Sequence, residues 1–255
     1  MKITLIPVFL LLILVGGCSR NTGSFEMVLP SPDSNTILYF NLNNGEPYYL
    51  VYYKNEIIIG WSNIGLKTST TDLTNDLQKC ETGQQDEQMR TFPDADQDVT
   101  LDAPFNKLEI CLESNKYPAS GITLVFRCYN NMVRFAVSGF FNEEEKNITD
   151  FTNFELQKSN ESWYLQTDST AQPVDALAEN VEIGCPANFY KNANFKIKIS
   201  TAGEIMHKSD CMKALGESHE YQFCTGISEK YKTAENYIYS TQWKVIQIIE
   251  NDTTY

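Results

Sequence analysis

Runs of alternating apolar and aromatic residues near the start of the chain predict a β-meander. Residues 36–42 are mostly β-branched, aromatic or aliphatic, and an Asn-Asn-Gly turn follows them. A second run of this kind covers residues 48–53, and a Lys-Asn turn separates it from a third at 56–59. Strand-forming runs joined by short turns of this composition are typical of antiparallel hairpins. We therefore predict three neighbouring antiparallel strands.

The same pattern continues through most of the chain. Residues 68–103 are polar and acidic and predict a long excursion, residues 168–178 predict a loop, and residues 202–216 predict a short helix. No stretch keeps a sustained 3.6-residue apolar period, and no long repeat is visible. The chain therefore predicts one all-β domain of two packed sheets. Further predicted strands cover residues 107–113, 121–129, 133–141, 148–156, 162–166, 195–199 and 237–249.

The first residues have the pattern of a bacterial lipoprotein signal. Lys2 precedes an apolar run over residues 3–15, and Gly16 and Gly17 lead directly to Cys18. The run holds about 15 residues, which is short of the ~20 that a membrane-spanning helix needs. An ordinary secretory signal favours an Ala-x-Ala-like site instead. Cleavage before Cys18 would leave that residue available for a lipid.

This interpretation divides the chain into a signal peptide (1–17), a tether (18–24) and a β domain (25–255). Two or three acyl chains on Cys18 would hold the protein firmly on a membrane, where one chain would not. No acidic run follows Cys18, which favours an outer-membrane lipoprotein facing the periplasm. We expect the membrane to be a partner through this lipid. An ordinary signal peptide and a short transmembrane helix are the alternatives.

Charge and cysteine content narrow the possible functions. The formal net charge is −13, so we expect no nucleic-acid partner, because phosphates are bound by Lys and Arg. Solubility is the simpler explanation for this acidity. Six of the seven cysteines lie after Cys18, and an even number outside the cytoplasm predicts disulfides. Burial as thiols is the alternative, above all for Cys111 and Cys128 in strand-like runs.

Three tryptophans are the candidate carbohydrate contacts. Trp61, Trp163 and Trp243 could each present a ring face to the C–H face of a sugar. Packing inside the core is the alternative for each of them, since aromatic side chains dominate the cores of sheets.

Other chemistry has weaker signals. Residues 94–98 resemble the opening of a calcium loop, but Val99 and Phe105 stand where such a loop needs Gly and Glu. The chain has no Cys-x-x-Cys pair and no Gly-x-Ser-x-Gly elbow. Acid–base chemistry would need His207 or His219 in a pocket with a glutamate. We therefore expect no metal, no cofactor and no catalytic residue.

Several short segments, taken in order, resemble the amino-terminal domain of glycoside hydrolase family 97. Each is short, but their order and spacing are specific together. The resemblance implies a two-sheet β-supersandwich of the galactose-mutarotase-like kind, in agreement with the strand pattern. The segments are Ser-Pro-Asp at 31–33, the Tyr-rich hairpin at 45–58, Ser-Asn-Ile-Gly-Leu at 62–66, Phe-Arg-Cys-Tyr-Asn-Asn at 126–131, Asp-Phe-Thr-Asn-Phe at 150–154 and Thr-Gln-Trp-Lys-Val-Ile at 241–246.

The resemblance also carries expectations about function. Enzymes of the family act on α-linked glucose or galactose residues and continue into a (β/α)₈ barrel with the catalytic carboxylates. This sequence ends soon after residues 241–246, from which we expect no barrel. Thr201 stands in the place of a family glutamate that helps to hold calcium, and residues 135–137 lack a typical family arginine. The resemblance therefore implies a non-catalytic domain without the family's calcium site.

Together these observations predict a lipid-anchored, non-catalytic protein that binds carbohydrate or assists a glycan-processing system. The alternative is a structural module that docks a separate glycosidase barrel. A mutarotase-like enzyme is a third hypothesis. An exposed tryptophan would favour carbohydrate binding, whereas burial of all three would favour docking.

Overall fold

The protein is all-β, as the sequence predicts. In the described part of the chain there is no α-helix, and Val174–Ala176 forms one turn of 3-10 helix. No helix among these residues has the length and apolar character needed to cross a bilayer. Cys18 lies outside the described residues. The computed structural model describes residues 24–80, 90–92, 103–158, 162–166, 170–192, 195–202, 212–216, 219–224 and 227–250.

The described residues form 23 strands, many of them only two or three residues long. In chain order they are β1 (Phe25–Pro30), β2 (Thr36–Asn43), β3 (Glu46–Tyr53), β4 (Glu56–Asn63), β5 (Leu66–Lys67), β6 (Asp72–Leu73), β7 (Leu77–Lys79), β8 (Arg90–Phe92), β9 (Phe105–Ser114), β10 (Gly121–Tyr129), β11 (Met132–Phe141), β12 (Thr149–Asp150), β13 (Asn153–Glu155), β14 (Tyr164–Gln166), β15 (Ala171–Pro173), β16 (Glu182–Ile183), β17 (Ala187–Asn192), β18 (Phe195–Ala202), β19 (Met212–Ala214), β20 (Glu220–Phe223), β21 (Ile227–Lys232), β22 (Tyr237–Thr241) and β23 (Trp243–Glu250).

The first layer of the fold begins with the predicted meander. Strands β1 to β4 pair antiparallel in sequence order. Asn44 and Gly45 turn β2 into β3 with φ angles of 51° and 84°, which is the positive-φ backbone that an Asn-Gly hairpin turn adopts. A bridge between Ile59 and Leu156 then joins β4 to a second four-stranded sheet of order β13-β20-β19-β16.

The second layer is a 12-stranded sheet. Its main path runs β15-β14-β17-β18-β23-β11-β10-β9-β7, and β8, β21 and β22 pair beside it. Strands β22 and β23 both pair with β11, which agrees with the final strand or strand pair predicted over residues 237–249.

Aromatic side chains fill the space between the two layers. Phe40 on β2 meets Phe126 on β10 with ring centroids 6.1 Å apart. Tyr49 on β3 lies 5.0 Å from Phe135. Rings also join β13, in the second four-stranded sheet, to β17 in the large sheet. Both sheets of the first layer therefore pack on the large sheet, and the chain folds as a β-sandwich.

An ion pair is buried inside this sandwich. The Lys244 Nζ atom lies 2.6 Å from a carboxylate oxygen of Asp150, and both side chains are fully buried. Lys244 also donates to the Thr241 hydroxyl at 3.1 Å, and the rings of Phe135 and Phe223 flank its ammonium group. Burial lowers the pKa of Lys244, and the Asp150 carboxylate opposes that shift. The pair holds the short strand β12 against β23.

Three local predictions differ from the structure. The excursion predicted over residues 68–103 contains the short strands β6, β7 and β8, and the loop predicted over 168–178 contains β15 and the 3-10 turn. The helix predicted over 202–216 is wrong where it is described, because its first residue ends β18 and Met212–Ala214 is β19. Residues 203–211 lie outside the described part. These strands are too short to leave a period in the sequence.

The prediction of a disulfide is confirmed. Cys80 and Cys111 are bonded, which ties the end of β7 to β9, and Cys185 is also disulfide-bonded. Cys128 is a thiol with no exposed surface, as its strand position suggested. Burial raises the pKa of this thiol to about 12.

Candidate functional site

The outer face of the β1–β4 sheet carries the candidate site. On β2, Leu38, Phe40 and Leu42 are buried against the core. Side chains alternate between the two faces of a strand, so Tyr39 points outward from β2. Tyr52 on β3 and Trp61 on β4 take outward positions on the same face. The strand pattern therefore gathers aromatic rings on a surface that faces away from the core.

These rings line a groove of about 260 Å³, which we name the Trp61 groove. Its volume is below the roughly 300–1,000 Å³ of pockets that take drug-sized ligands, so it suits one small unit of a larger ligand. The groove is lined by Glu26, Tyr39, Leu50, Tyr52, Ile57, Gly60, Trp61 and Gln157.

Three aromatic side chains, together with Leu50 and Ile57, form the apolar surface of the groove. Trp61 is 46% exposed, so the face of its indole is accessible to a ligand. Tyr39 and Tyr52 are half-buried, with ring centroids 5.2 Å apart and planes inclined by 59°. The inclined tyrosines and the exposed indole give a concave surface on which an apolar ligand face can pack.

Polar groups lie at the margin of the same groove. Glu26 on β1 points outward, and the amide of its cross-strand partner Asn41 donates to Glu26 Oε1 at 3.2 Å. Gln157 lines the groove beside Gly60 of β4. A Cβ added at Gly60 would lie 3.4 Å from Gln157 Oε1. The absence of a side chain at Gly60 therefore leaves room for the amide of Gln157 beside β4.

A second carboxylate lies beside the groove without lining it. Oε2 of Glu155 would be 3.5 Å from a Cβ at Gly60. Burial, together with the carboxylate of its cross-strand partner Glu220, raises the pKa of Glu155. The region around β4 is therefore rich in oxygen atoms that can accept hydrogen bonds.

The structure separates the three candidate tryptophans. Trp163 is 2% exposed and its indole packs in the core, which is the alternative given above for each tryptophan. Its Nε1 atom donates to the backbone oxygen of Gln157 at 2.9 Å, which helps to position the groove. Trp243 is half-buried, and the guanidinium groups of Arg127 and Arg134 lie 4.5 and 5.6 Å from its ring centroid. Trp61 is the most exposed of the three tryptophans.

The other predicted positions lie away from the groove. His219 is 8% exposed and its Nε2 atom contacts the Asp175 carboxylate rather than a glutamate. Thr201 lies on β18 and pairs with Lys244 on β23. His207 and residues 94–98 lie outside the described part of the chain. Within the part that is described, no cluster of three or more His, Cys, Asp or Glu side chains could hold a metal ion.

Sequence reasoning missed most of the groove. Tyr39 and Tyr52 could have been found, because the alternation within β2 and β3 and the hairpin turn together place both on the outer face. Gln157 leaves no such signal, because the bridge that brings it to the groove joins residues 59 and 156. Glu26 lies on β1, a segment for which no strand was predicted.

Comparison with known proteins gives a family for this chain. The family model described as "Glycosyl-hydrolase 97 N-terminal" matches residues 29–254. Among curated proteins no match was found.

Solved structures agree in fold. A glycoside hydrolase family 97 enzyme from Pseudoalteromonas sp. strain K8, in complex with acarbose, has a TM-score of 0.62 at 17% identity and covers 87% of this chain. A β-arabinopyranosidase has a TM-score of 0.57 at 16% identity, also over 87% of this chain. The chain spans only 35% and 40% of the lengths of these two proteins.

Proposed function

This chain belongs to the glycosyl-hydrolase 97 N-terminal family, and we propose that it is a lipid-anchored, non-catalytic module that binds carbohydrate in the Trp61 groove. The observation that carries the proposal is the exposed indole of Trp61 beside the inclined pair Tyr39 and Tyr52. Sugar rings have apolar C–H faces and polar edges. An aromatic surface with hydrogen-bonding groups at its margin matches both features.

Isothermal titration with soluble neutral glycans tests this proposal. We expect binding by the unmodified chain and a loss of about tenfold in affinity for Trp61→Ala, because the stacking surface would be removed. Tyr231→Ala is the matched control, since Tyr231 is 52% exposed but lies on β21, outside the groove. Binding that Trp61→Ala leaves unchanged, or no binding at millimolar glycan, would refute the proposal.

The membrane anchor is a separate part of the proposal. It is supported by the apolar run over residues 3–15 and by the Gly-Gly-Cys sequence that ends at Cys18. Two or more acyl chains would hold the groove at a membrane surface of the bacterial cell envelope, on the periplasmic side of the outer membrane. Labelled palmitate should enter the chain and Cys18→Ala should abolish the label, whereas Cys224→Ala should keep it. A protein that is membrane-bound but carries no palmitate label would contradict the proposed acylation of Cys18.

The docking alternative predicts a different outcome. A module that docks a separate glycosidase barrel would bind that protein through its outer apolar surface. Trp61→Ala would then disrupt a stable protein complex, and neither the unmodified chain nor the variant would bind glycan. Isolation of the tagged chain from its native envelope, with and without soluble glycan, distinguishes the two. If the chain binds carbohydrate, glycan should be recovered with the tagged chain, and added soluble glycan should release it. If the chain docks a glycosidase, a protein partner should be recovered and should stay bound when soluble glycan is added.

A further inference from the structure

We propose that the Trp61 groove selects neutral glycans over anionic ones, and that Glu26 is the residue that determines this selectivity. The inference rests on the proposed function, because it names the ligand class of the same site. It follows from the charge of the groove and from the way in which Glu26 is held there.

The lining of the groove is apolar and acidic. Of the eight lining residues, Glu26 alone is a carboxylate, and none is Lys or Arg. A second carboxylate, Glu155, lies beside Gly60 at the edge of the groove. The whole chain adds a formal net charge of −13. A uronate or sulfate group entering the groove would therefore meet negative charge and no cation among the residues that line it.

Glu26 is directed toward the groove by its strand. Phe25 and Met27 pack toward the core, so the alternation of β1 sends Glu26 to the outer face. The bond from Asn41 Nδ2 to Glu26 Oε1 restrains the carboxylate at the groove wall. An ionised carboxylate has about four lone-pair sites, so Glu26 keeps acceptor capacity for the hydroxyl groups of a ligand.

The same carboxylate both accepts sugar hydroxyls and repels acidic sugars. A hydroxyl donates to an ionised acceptor in a charge-assisted bond, which is about twice as strong as a neutral one. A carboxylate on the ligand cannot donate in this way, and its charge is repelled by that of Glu26. Gln157 offers a neutral amide on the opposite side. The ligand class is therefore a neutral, hydroxyl-rich glycan with an apolar ring face.

Matched polymers test the inference. Dextrin and galactan are each titrated against the chain as the neutral polymer and as its C6-oxidised form, which keeps the linkages and adds carboxylates. We expect the neutral form to bind on the order of tenfold more tightly than the oxidised form. Glu26→Gln should remove most of this difference, and Glu26→Lys should reverse it. Glu182→Gln, an exposed change on β16, is the control and should keep the difference.

The outcomes separate the two proposals. If neither polymer binds in either form, or if Trp61→Ala binds like the unmodified chain, the proposed carbohydrate site fails and this inference fails with it. If binding depends on Trp61 but the oxidised form binds as tightly as the neutral form, only the selectivity is overturned. Unchanged discrimination in Glu26→Gln would likewise overturn the role of Glu26 and leave the carbohydrate site intact.

Discussion

Replacing Lys244 with methionine would remove the cation that contacts the buried Asp150 carboxylate. The two charges lie 2.6 Å apart with no exposed surface on either side chain. Methionine keeps much of the volume and fits between the flanking rings of Phe135 and Phe223. The substitution therefore tests the charge more than the packing.

The expected magnitude follows from two opposing energies. With an effective dielectric constant of about 20, the attraction at this distance is about 6 kcal/mol. Removing both ions from water costs several kcal/mol each, so the intact pair contributes little net stability. Loss of one partner leaves the desolvation cost of the other buried ion without a compensating attraction. We therefore expect Lys244→Met to lower the free energy of unfolding by about 3–5 kcal/mol.

Urea unfolding of Lys244→Met, Asp150→Asn and the double variant measures this energy. The double variant should lose much less than the sum of the single losses, since it leaves no buried charge. Lys54→Met is the matched control, because Lys54 also lies 2.6 Å from a carboxylate, that of Glu250, but both side chains are partly exposed. Its unfolding midpoint should stay nearly unchanged. A Lys244→Met midpoint that shifts no more than the control, or single losses that add, would refute the reasoning.

Three further predictions concern single side chains. Gly121→Ala should lower the free energy of unfolding in urea by about 1–3 kcal/mol or more, because the added Cβ would lie 2.1 Å from a backbone oxygen of β9. Gly184→Ala is the control and should leave the free energy of unfolding unchanged, since no described atom lies within 4 Å of the added Cβ. Iodoacetamide at pH 8 should modify the exposed thiol of Cys224 and reach the buried Cys128 only after unfolding; native labelling of Cys128 would contradict its raised pKa. A hydrogen bond to a glutamate raises the pKa of Tyr48 to about 12. The folded chain therefore keeps this proton above the ordinary pKa of about 10, and the stability that the bond provides should fall between these two pH values. The difference in phenolate absorbance between the chain and Tyr48→Phe measures this titration.

The parts of the fold that the sequence predicts are those with local causes. Alternation and an Asn-Gly turn determine β2 and β3 within about twenty residues, and their register from Thr36↔Tyr53 to Asn43↔Glu46 follows. Strands such as β6 and β19 have only two or three residues. Strand β6 pairs with the preceding strand β5, and β19 pairs with both β16 and β20. Runs of this length hold too few residues for an alternation to be recognised in the sequence.

The buried ion pair joins two of the family-like segments. Asp150 opens the segment at 150–154, and Lys244 lies in the segment at 241–246. The sequence presents them as separate resemblances, but in the folded chain they are the two halves of one interaction. The groove is the opposite case, because Trp61 was recognisable as a residue type, while Gln157 became visible only through the bridge between Ile59 and Leu156.

That bridge also links occupancy of the groove to the folding equilibrium. Glu26 and Gln157 lie at the same groove only after β1–β4 have paired and residue 156 has joined β4. A ligand that touches both residues can bind only the folded chain. By mass action, such a ligand at about 100 times its dissociation constant adds about 2.7 kcal/mol to the free energy of unfolding. If the proposed glycan is this ligand, a glycan-rich surface would therefore stabilise the folded chain and lower the fraction of unfolded chain where the ligand is abundant.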